Sequence, residues 1–413
     1  MKRVVITGMG AVTPLGNSVD EFWDNVKNGK SGVVLIDEFK EADYSTQIGA
    51  TIKNFDASQY NITKVEEKRY DKFVTFGLAA AQMAYDDAGL EEGNFDPKKT
   101  GSLVGSGIGG INVFMEQHDA FRERGSRFIS PFFIPMLITN ILSGFIAIRH
   151  GFKGPNFSIS SACATSNHSI GTAFKFIQSG MAEILFAGGA EGAINDMGLG
   201  GFMKMKAVSS RNDAPEKASR PFDKDRDGFV MADGAGVVVL EELEHAKKRG
   251  AKIYAEVIGV GMSDDAHHMA APHPDGEGAA LALELALEDA HINKEDVDYI
   301  NTHGTSTPVG DISEIKAIKQ IFGDVAKKLF ISSTKSMVGH MLGASGAAEL
   351  IATVKGMNDG IIHPTINVDN QDPECDLNVV PNQAIEHDVK IAMSDSFGFG
   401  GHNSVLVVKK YAD

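Results

Sequence analysis

One cysteine stands where the chain changes from one periodicity to another. In Asn156-Phe-Ser-Ile-Ser-Ser-Ala-Cys163-Ala-Thr-Ser, residues 157–161 alternate apolar and small polar side chains, as a strand does. From Ala164 to Met181 the apolar positions recur at helical spacing, with Gly180 near the end as a stop. Cys163 is therefore expected in the first turn of a helix, where unpaired N–H groups and the positive end of the dipole favour a thiolate. Such a thiolate is a nucleophile for acyl groups; the same position also suits a small buried cysteine filling a strand–helix gap. His303 ends a short strand in Asp298-Tyr-Ile-Asn-Thr-His-Gly-Thr-Ser-Thr-Pro308. Lys335 and His340 follow an apolar strand in Leu329-Phe-Ile-Ser-Ser-Thr-Lys-Ser-Met-Val-Gly-His340. Two histidines and a lysine at strand ends fit one pocket with Cys163 better than three separate surface positions. Covalent acyl transfer is the chemistry such a set performs.

The elements that must position these groups are visible as an internal repeat. Val5-Ile-Thr-Gly-Met-Gly10 echoes Glu256-Val-Ile-Gly-Val-Gly261, and Val237-Val-Val-Leu240 echoes Val405-Leu-Val-Val408. Ile159-Ser-Ser-Ala-Cys163 through His168 echoes Ile331-Ser-Ser-Thr-Lys335 through His340, which sets Cys163 and Lys335 at equivalent strand-to-helix turns. Two halves, residues 1–250 and 251–413, each mixing strands and helices, imply stacked α/β layers. The first half is the longer, with extra segments expected around 15–70 and 110–150.

Composition narrows the classes. Within 413 residues the chain is 43% hydrophobic with a formal net charge of −16, which argues against nucleic acid as a general partner. No apolar run is long enough to span a bilayer. Met1-Lys-Arg-Val-Val-Ile-Thr-Gly reads as a first buried strand rather than a secretory signal. The two cysteines, Cys163 and Cys375, are read as free thiols of a cytoplasmic protein.

Taken together, Cys163, His303, Lys335 and His340, with Gly304-Thr-Ser-Thr-Pro308 and Ser396-Phe-Gly-Phe-Gly-Gly401, resemble the β-ketoacyl-acyl-carrier-protein synthases, most closely the synthase II type. The likeness runs from Val4-Val-Ile-Thr-Gly-Met-Gly10 to the last strand. It implies a thiolase-like α/β fold of two pseudo-symmetric halves in α-β-α-β-α layers. It also implies decarboxylative condensation of an acyl-enzyme with malonyl-acyl-carrier protein, without a metal or redox cofactor. A stand-alone polyketide ketosynthase of the same fold is the competing assignment. A thiolase would need a second catalytic cysteine, and Cys375 lies in an acidic loop; an inactive chain-length partner would lack Cys163.

The resemblance assigns further residues. Backbone N–H groups of Cys163 and Phe399 form the acyl oxyanion site, and His303 and His340, both neutral, stabilise the malonyl enolate. Lys335 is a buried cation with Glu349 as counter-charge. Phe399 is a gate, Ile108, Phe133 and Phe202 line the acyl pocket, and Thr305 and Thr307 bind the pantetheine amides. Phe133 reaches the pocket of a homodimer partner through the apolar segment 128–150. Carrier docking falls to Lys68, Arg69, Arg127 and Lys206, chosen from basic groups that also include Lys64, Arg122, Arg124, Lys204 and Arg211. Phe128 stands where relatives often carry a second basic residue, which weakens the patch. Asn301, Glu349 and Ser394 match positions that hold a monovalent cation in some relatives, with Asp395 in place of the usual Asn. His402 stands where relatives often carry Thr, and the loop bearing His267, His268 and His273 lacks a regular metal-binding geometry.

Overall fold

The computed structural model describes residues 1–412; Asp413, the last residue of the expected second half, lies outside the described residues. Nine strands build one sheet: β1 (Val4–Val12), β2 (Thr100–Gly105), β3 (Ile184–Glu191), β4 (Gly234–Glu242), β5 (Ala255–Asp264), β6 (Tyr299–Asn301), β7 (Phe330–Ser332), β8 (Ile391–Gly398) and β9 (His402–Lys410). Their order is β2-β3-β4-β1-β5-β9-β8-β6-β7. Read outward from the middle, β1 corresponds to β5, β4 to β9, β3 to β8 and β2 to β6. The pairing agrees: β1–β4 and β5–β9 are antiparallel, while β2–β3 and β6–β8 are parallel. The halves join where Val4, Val5 and Ile6 pair with Val257, Glu256 and Ala255.

The helices that matter for the site are α1 (Lys72–Asp87), α2 (Ile111–Arg124), α3 (Phe133–Leu137), α4 (Ile141–His150), α5 (Thr165–Gln178), α6 (Asp196–Lys204), α7 (Glu277–Ala290), α8 (Pro308–Phe322), α9 (Lys335–Val338) and α10 (Ser345–Asp359). Helix α1 covers β1 and β4 on one outer face, and α7 covers β5 and β9 on the other, backed by α8. Between the two halves of the sheet lie α5 and α10, each touching strands of both. This is the five-layer α-β-α-β-α arrangement. Every residue from Ser345 to Val354 is buried, as a helix enclosed on two faces requires.

The glycine echo in β1 and β5 has a packing cause. A Cβ on Gly10 would stand 1.9 Å from the Ala80 carbonyl oxygen of α1, and one on Gly261 1.9 Å from that of Ala282 in α7. Each outer helix thus lies directly on strand backbone, and any side chain at these positions would prise the layers apart.

Two sequence expectations change here. Residues 157–161 form no ladder; only an isolated parallel bridge, Ser102 to Asn156, stands where β7 stands in the second half. Lys335 is also not the counterpart of Cys163. The turns entering α5 and α10 are Ala162–Ala164 and Leu342–Ala344, and each opens on a left-handed residue, Ala162 at φ +50° and Leu342 at φ +47°. Gly343 therefore matches Cys163. Lys335 belongs to α9, an extra turn inserted between β7 and α10 with no equivalent in the first half.

Candidate active site

Cys163 lies in the tight turn before α5 and is 8% exposed. Thr165 Oγ1 locks that turn, accepting from the Ser161 N–H (2.9 Å) and donating to the Ala162 carbonyl (2.7 Å). Burial pushes the thiol up to about 12, against the pull of the Lys335 charge and of N–H groups of Phe399 and Cys163, while Glu191 adds to the rise. The expected resting thiolate is thus corrected: desolvation outweighs the helix terminus, and the group rests as a thiol.

The strand β6 carries the chain to His303, whose N–H, like that of Gly304, donates to the Glu314 carboxylate of α8 (2.7 Å each). The His303 and His340 rings meet edge to face at 5.4 Å between centroids. His340 Nδ1 lies 2.9 Å from Ser345 Oγ at the start of α10, and His303 Nδ1 is buried without a partner. Burial first, then the Lys335 charge, holds both imidazoles well below their usual range, so both are neutral. Lys335 and Glu349 are each 1% exposed and form an ion pair, which settles Glu349 as an interior residue of α10.

Cys163, His303 and His340 open on one cavity of about 410 Å³. Phe202, Thr305, Thr307, Phe399 and Lys206 line it as well; Lys335, Ile108 and Phe133 do not. The Ile108 side chain is 36% exposed, and Phe133 stacks with Phe114 (6.2 Å) on the segment expected to meet a partner. Phe399 stands 6.1 Å from the Phe202 ring. The apolar cluster behind Cys163 holds Leu342, Leu199, Phe229 and, from α2, Ile111. Gly398 makes the approach of the Phe399 segment possible: a Cβ there would lie 2.6 Å from the Ser161 carbonyl and 3.2 Å from the Cys163 nitrogen.

Lys68, Arg69, Arg127 and Lys206 are all exposed. Arg69 lies over the Phe132 ring (4.1 Å), and Arg124 and Arg127 flank Phe128 (4.9 and 5.0 Å). Phe128 therefore gathers two guanidinium groups, where a basic residue would repel them. Around the expected cation position, Asn301 Nδ2 donates to Thr334, Thr353 and the Glu349 carbonyl. Glu349 Oε2, Ser394 Oγ and both Asp395 carboxylate oxygens are buried without a partner, though Ser394 and Asp395, adjacent on one strand, face opposite sides of the sheet. His268 and His273 instead accept backbone N–H groups within their own loop, and His402 pairs with Asp264 at 3.4 Å.

Sequence reasoning missed two buried carboxylates, Glu191 and Glu314. Glu191 closes the otherwise apolar strand Ile-Leu-Phe-Ala-Gly-Gly-Ala-Glu, where an acid was the available signal. Glu314 lies in α8 among Asp311, Ser313 and Lys316, and nothing in that run singles it out.

Two turns from two matched halves, converging on a cavity with a buried cysteine and a pair of neutral histidines, define a condensing enzyme of the thiolase fold. The chain belongs to the β-ketoacyl synthase family: the N-terminal domain model matches residues 1–246 and the C-terminal domain model residues 254–369. The 3-oxoacyl-[acyl-carrier-protein] synthase 2 of Vibrio harveyi is 49% identical over 413 residues, 100% of this chain and 99% of the relative. That of Coxiella burnetii is 50% identical over 412 residues, again 100% and 99%. Among solved structures, a type II polyketide ketosynthase in complex with its acyl-carrier protein superposes with a TM-score of 0.93 at 34% identity, covering 100% of both chains. A β-ketoacyl synthase from Burkholderia phymatum gives 0.93 at 33% identity with the same coverage.

Proposed function

We infer that this chain is an acyl-carrier-protein-dependent β-ketoacyl synthase of the synthase II type, which lengthens fatty acyl chains with malonyl units. The observation that carries the residue assignments is the single cavity shared by Cys163, His303 and His340. Cys163 Sγ attacks the acyl thioester; its bond to the acyl carbon forms as the carrier thiol departs with the proton. Malonyl-carrier then loses carbon dioxide, and the electrons of the broken C–C bond form an enolate. The enolate carbon attacks the acyl-enzyme, giving the β-ketoacyl-carrier and expelling Cys163 as a thiolate, which takes a proton from water to return to its thiol.

Each step places charge on an oxygen that needs a waiting donor. For the acyl oxyanion the donors are the N–H groups of Cys163 and Phe399. For the enolate they are single ring N–H groups of His303 and His340, which neutral imidazoles still possess. Lys335, held by Glu349, acts through the field and stays off the substrate. The substrates arrive on phosphopantetheine, whose amides meet Thr305 and Thr307, and this chemistry calls on no metal or redox cofactor. Phe399 closes the pocket until an acyl chain is seated, with Phe202 as a wall. Residues 1–250 supply the nucleophile and residues 251–413 the two histidines and the lysine. Asn301, Glu349 and Ser394 would hold a monovalent cation, with Asp395 departing from the Asn usual beside them.

Lys68, Arg69, Arg127 and Lys206 receive the acidic carrier protein. Exposed Phe132, Ile134, Ile138 and Ile148 form an apolar face suited to a second copy of the chain, which would bring Phe133 to the partner's pocket. No helix among the described residues is long and apolar enough to cross a membrane, and the expected location is the cytoplasm. The deciding experiment is intact-mass analysis of wild type and Cys163→Ala after incubation with acyl-carrier proteins bearing a series of chains. Acyl mass on wild type alone is expected; absence of any adduct on wild type would overturn the reading.

A further inference from the structure

Glu191, the last residue of β3, is completely buried, and no cation pairs with it among the described residues. Four donors from two segments converge on it. Oε1 accepts from Ser106 Oγ (2.6 Å) and the Ile108 N–H (3.2 Å). Oε2 accepts from the N–H groups of Gly107 (2.9 Å) and Gly343 (3.0 Å). Burying an unpaired carboxylate is costly, and its charge opposes ionisation of Cys163, so it does not serve to activate the nucleophile. Its use is geometric.

The segments it ties carry two members of the apolar cluster that holds Cys163: Ile111, behind the cysteine, and Leu342, which also lines the cavity. Ser106 Oγ also accepts from the Gly109 N–H (2.8 Å), fixing the loop that delivers Ile111 of α2 to the apolar cluster behind Cys163. Gly343 follows Leu342, a cavity wall held at φ +47°, where a branched side chain stays only if its surroundings insist. The Gly343 carbonyl accepts from Ser166 Oγ (2.5 Å) in the first turn of α5. The Gly110 N–H reaches the Leu137 carbonyl of α3 (3.0 Å), the helix that carries Phe133.

We propose that Glu191 is a specificity-positioning residue: its carboxylate sets the distance between the loop that delivers Ile111 to the apolar cluster behind Cys163 and the Leu342 wall of the cavity, and so the acyl-chain length that the site accepts. The inference rests on the reading of this cavity as the acyl site. Only a carboxylate meets the requirement, because all four partners donate. The amide of Glu191→Gln would turn a donor toward one pair of them. Ser106 can rotate its hydroxyl to accept, but the Ile108 N–H cannot, so the loop gives way at Ile108.

The test measures kcat/KM with carrier proteins bearing the shortest and the longest acyl chains that wild type loads onto Cys163, in wild type, Glu191→Gln and Ser106→Ala. The long-to-short ratio is expected to fall roughly tenfold in Glu191→Gln and in the same direction in Ser106→Ala. Equal losses for both chains, or an unaltered ratio, would overturn the proposal by making Glu191 a general support. If Glu191→Gln fails to fold, Ser106→Ala decides alone, since it removes one donor and leaves the carboxylate. Wild type that loads no chain would instead sink the acyl-site reading, so the two failures are distinguishable.

Discussion

Replacing Gly398 by alanine inserts one methyl group between the Phe399 segment and the nucleophile turn. At 2.6 Å from the Ser161 carbonyl, that methyl is roughly 0.8 Å inside ordinary contact at 3.4 Å, and it also crowds the nitrogens of Cys163 and Ala164 at 3.2 Å. The colliding atoms are all backbone, so the Phe399 strand end must retreat by about that amount, carrying its N–H away from the position of the acyl oxyanion. Loss of one such donor costs about 10²–10³ in rate, or roughly 3–4 kcal/mol in the transition state. The assay is the single-turnover rate of acyl transfer to Cys163, followed by intact mass, beside the rate of carbon dioxide release from malonyl-carrier. Acylation is expected to fall by that factor and decarboxylation much less, because His303 and His340 sit on other segments. Equal loss of both rates, or acylation within about threefold of wild type, would refute the assignment of Phe399 N–H to the first oxyanion.

Three further outcomes are expected. Lys335→Met leaves Glu349 buried and unpaired and should destabilise the fold by about 3–5 kcal/mol, with much of this recovered in Lys335→Met/Glu349→Leu; thermal unfolding of the pair checks it. Because folded His303 and His340 titrate well below 6.5, decarboxylation should show no acid limb near that pH, and Lys335→Met, which removes a repelling charge, should move the limb upward. Lys206→Glu should raise KM for carrier-linked acyl substrate and leave that for a small thioester nearly unaltered; equal effects on both would remove Lys206 from docking.

That Cys163, His303 and His340 meet at one cavity was legible because reactive residue types stood at turns in two halves of a visible repeat. Its electrostatics were not legible. A helix terminus can be read from local sequence, whereas the desolvation that keeps Cys163 protonated comes from burial in a cluster drawn from segments as far apart as Phe39, Phe229 and Leu342. The misplacement of Lys335 has a similar origin. Serine-rich strings around Cys163 and Lys335 look alike, but the true match between the halves is a pair of left-handed residues, Ala162 and Leu342, neither of a type that advertises positive φ. Glu191 and Glu314 escaped because a carboxylate facing only N–H and O–H donors has no complementary charge to mark it. Ile108 and Phe133 rested on resemblance alone, and neither borders the cavity within one chain.

The place of β1 in the sheet bears on how this protein is made. Strand β1 lies between β4 and β5, so its two edges stay open until residues 234–264 have been synthesised. With β1 ending at Val12, that delay covers roughly 220 residues, on the order of 10–40 s at ordinary elongation rates. During that interval a strand of nine buried residues has α1 on one face but no native strand at either edge, and is an aggregation hazard. A chain halted before β5 would keep its cysteine but would lack both the closing strand and the histidines, so partial products are expected to be both sticky and inert.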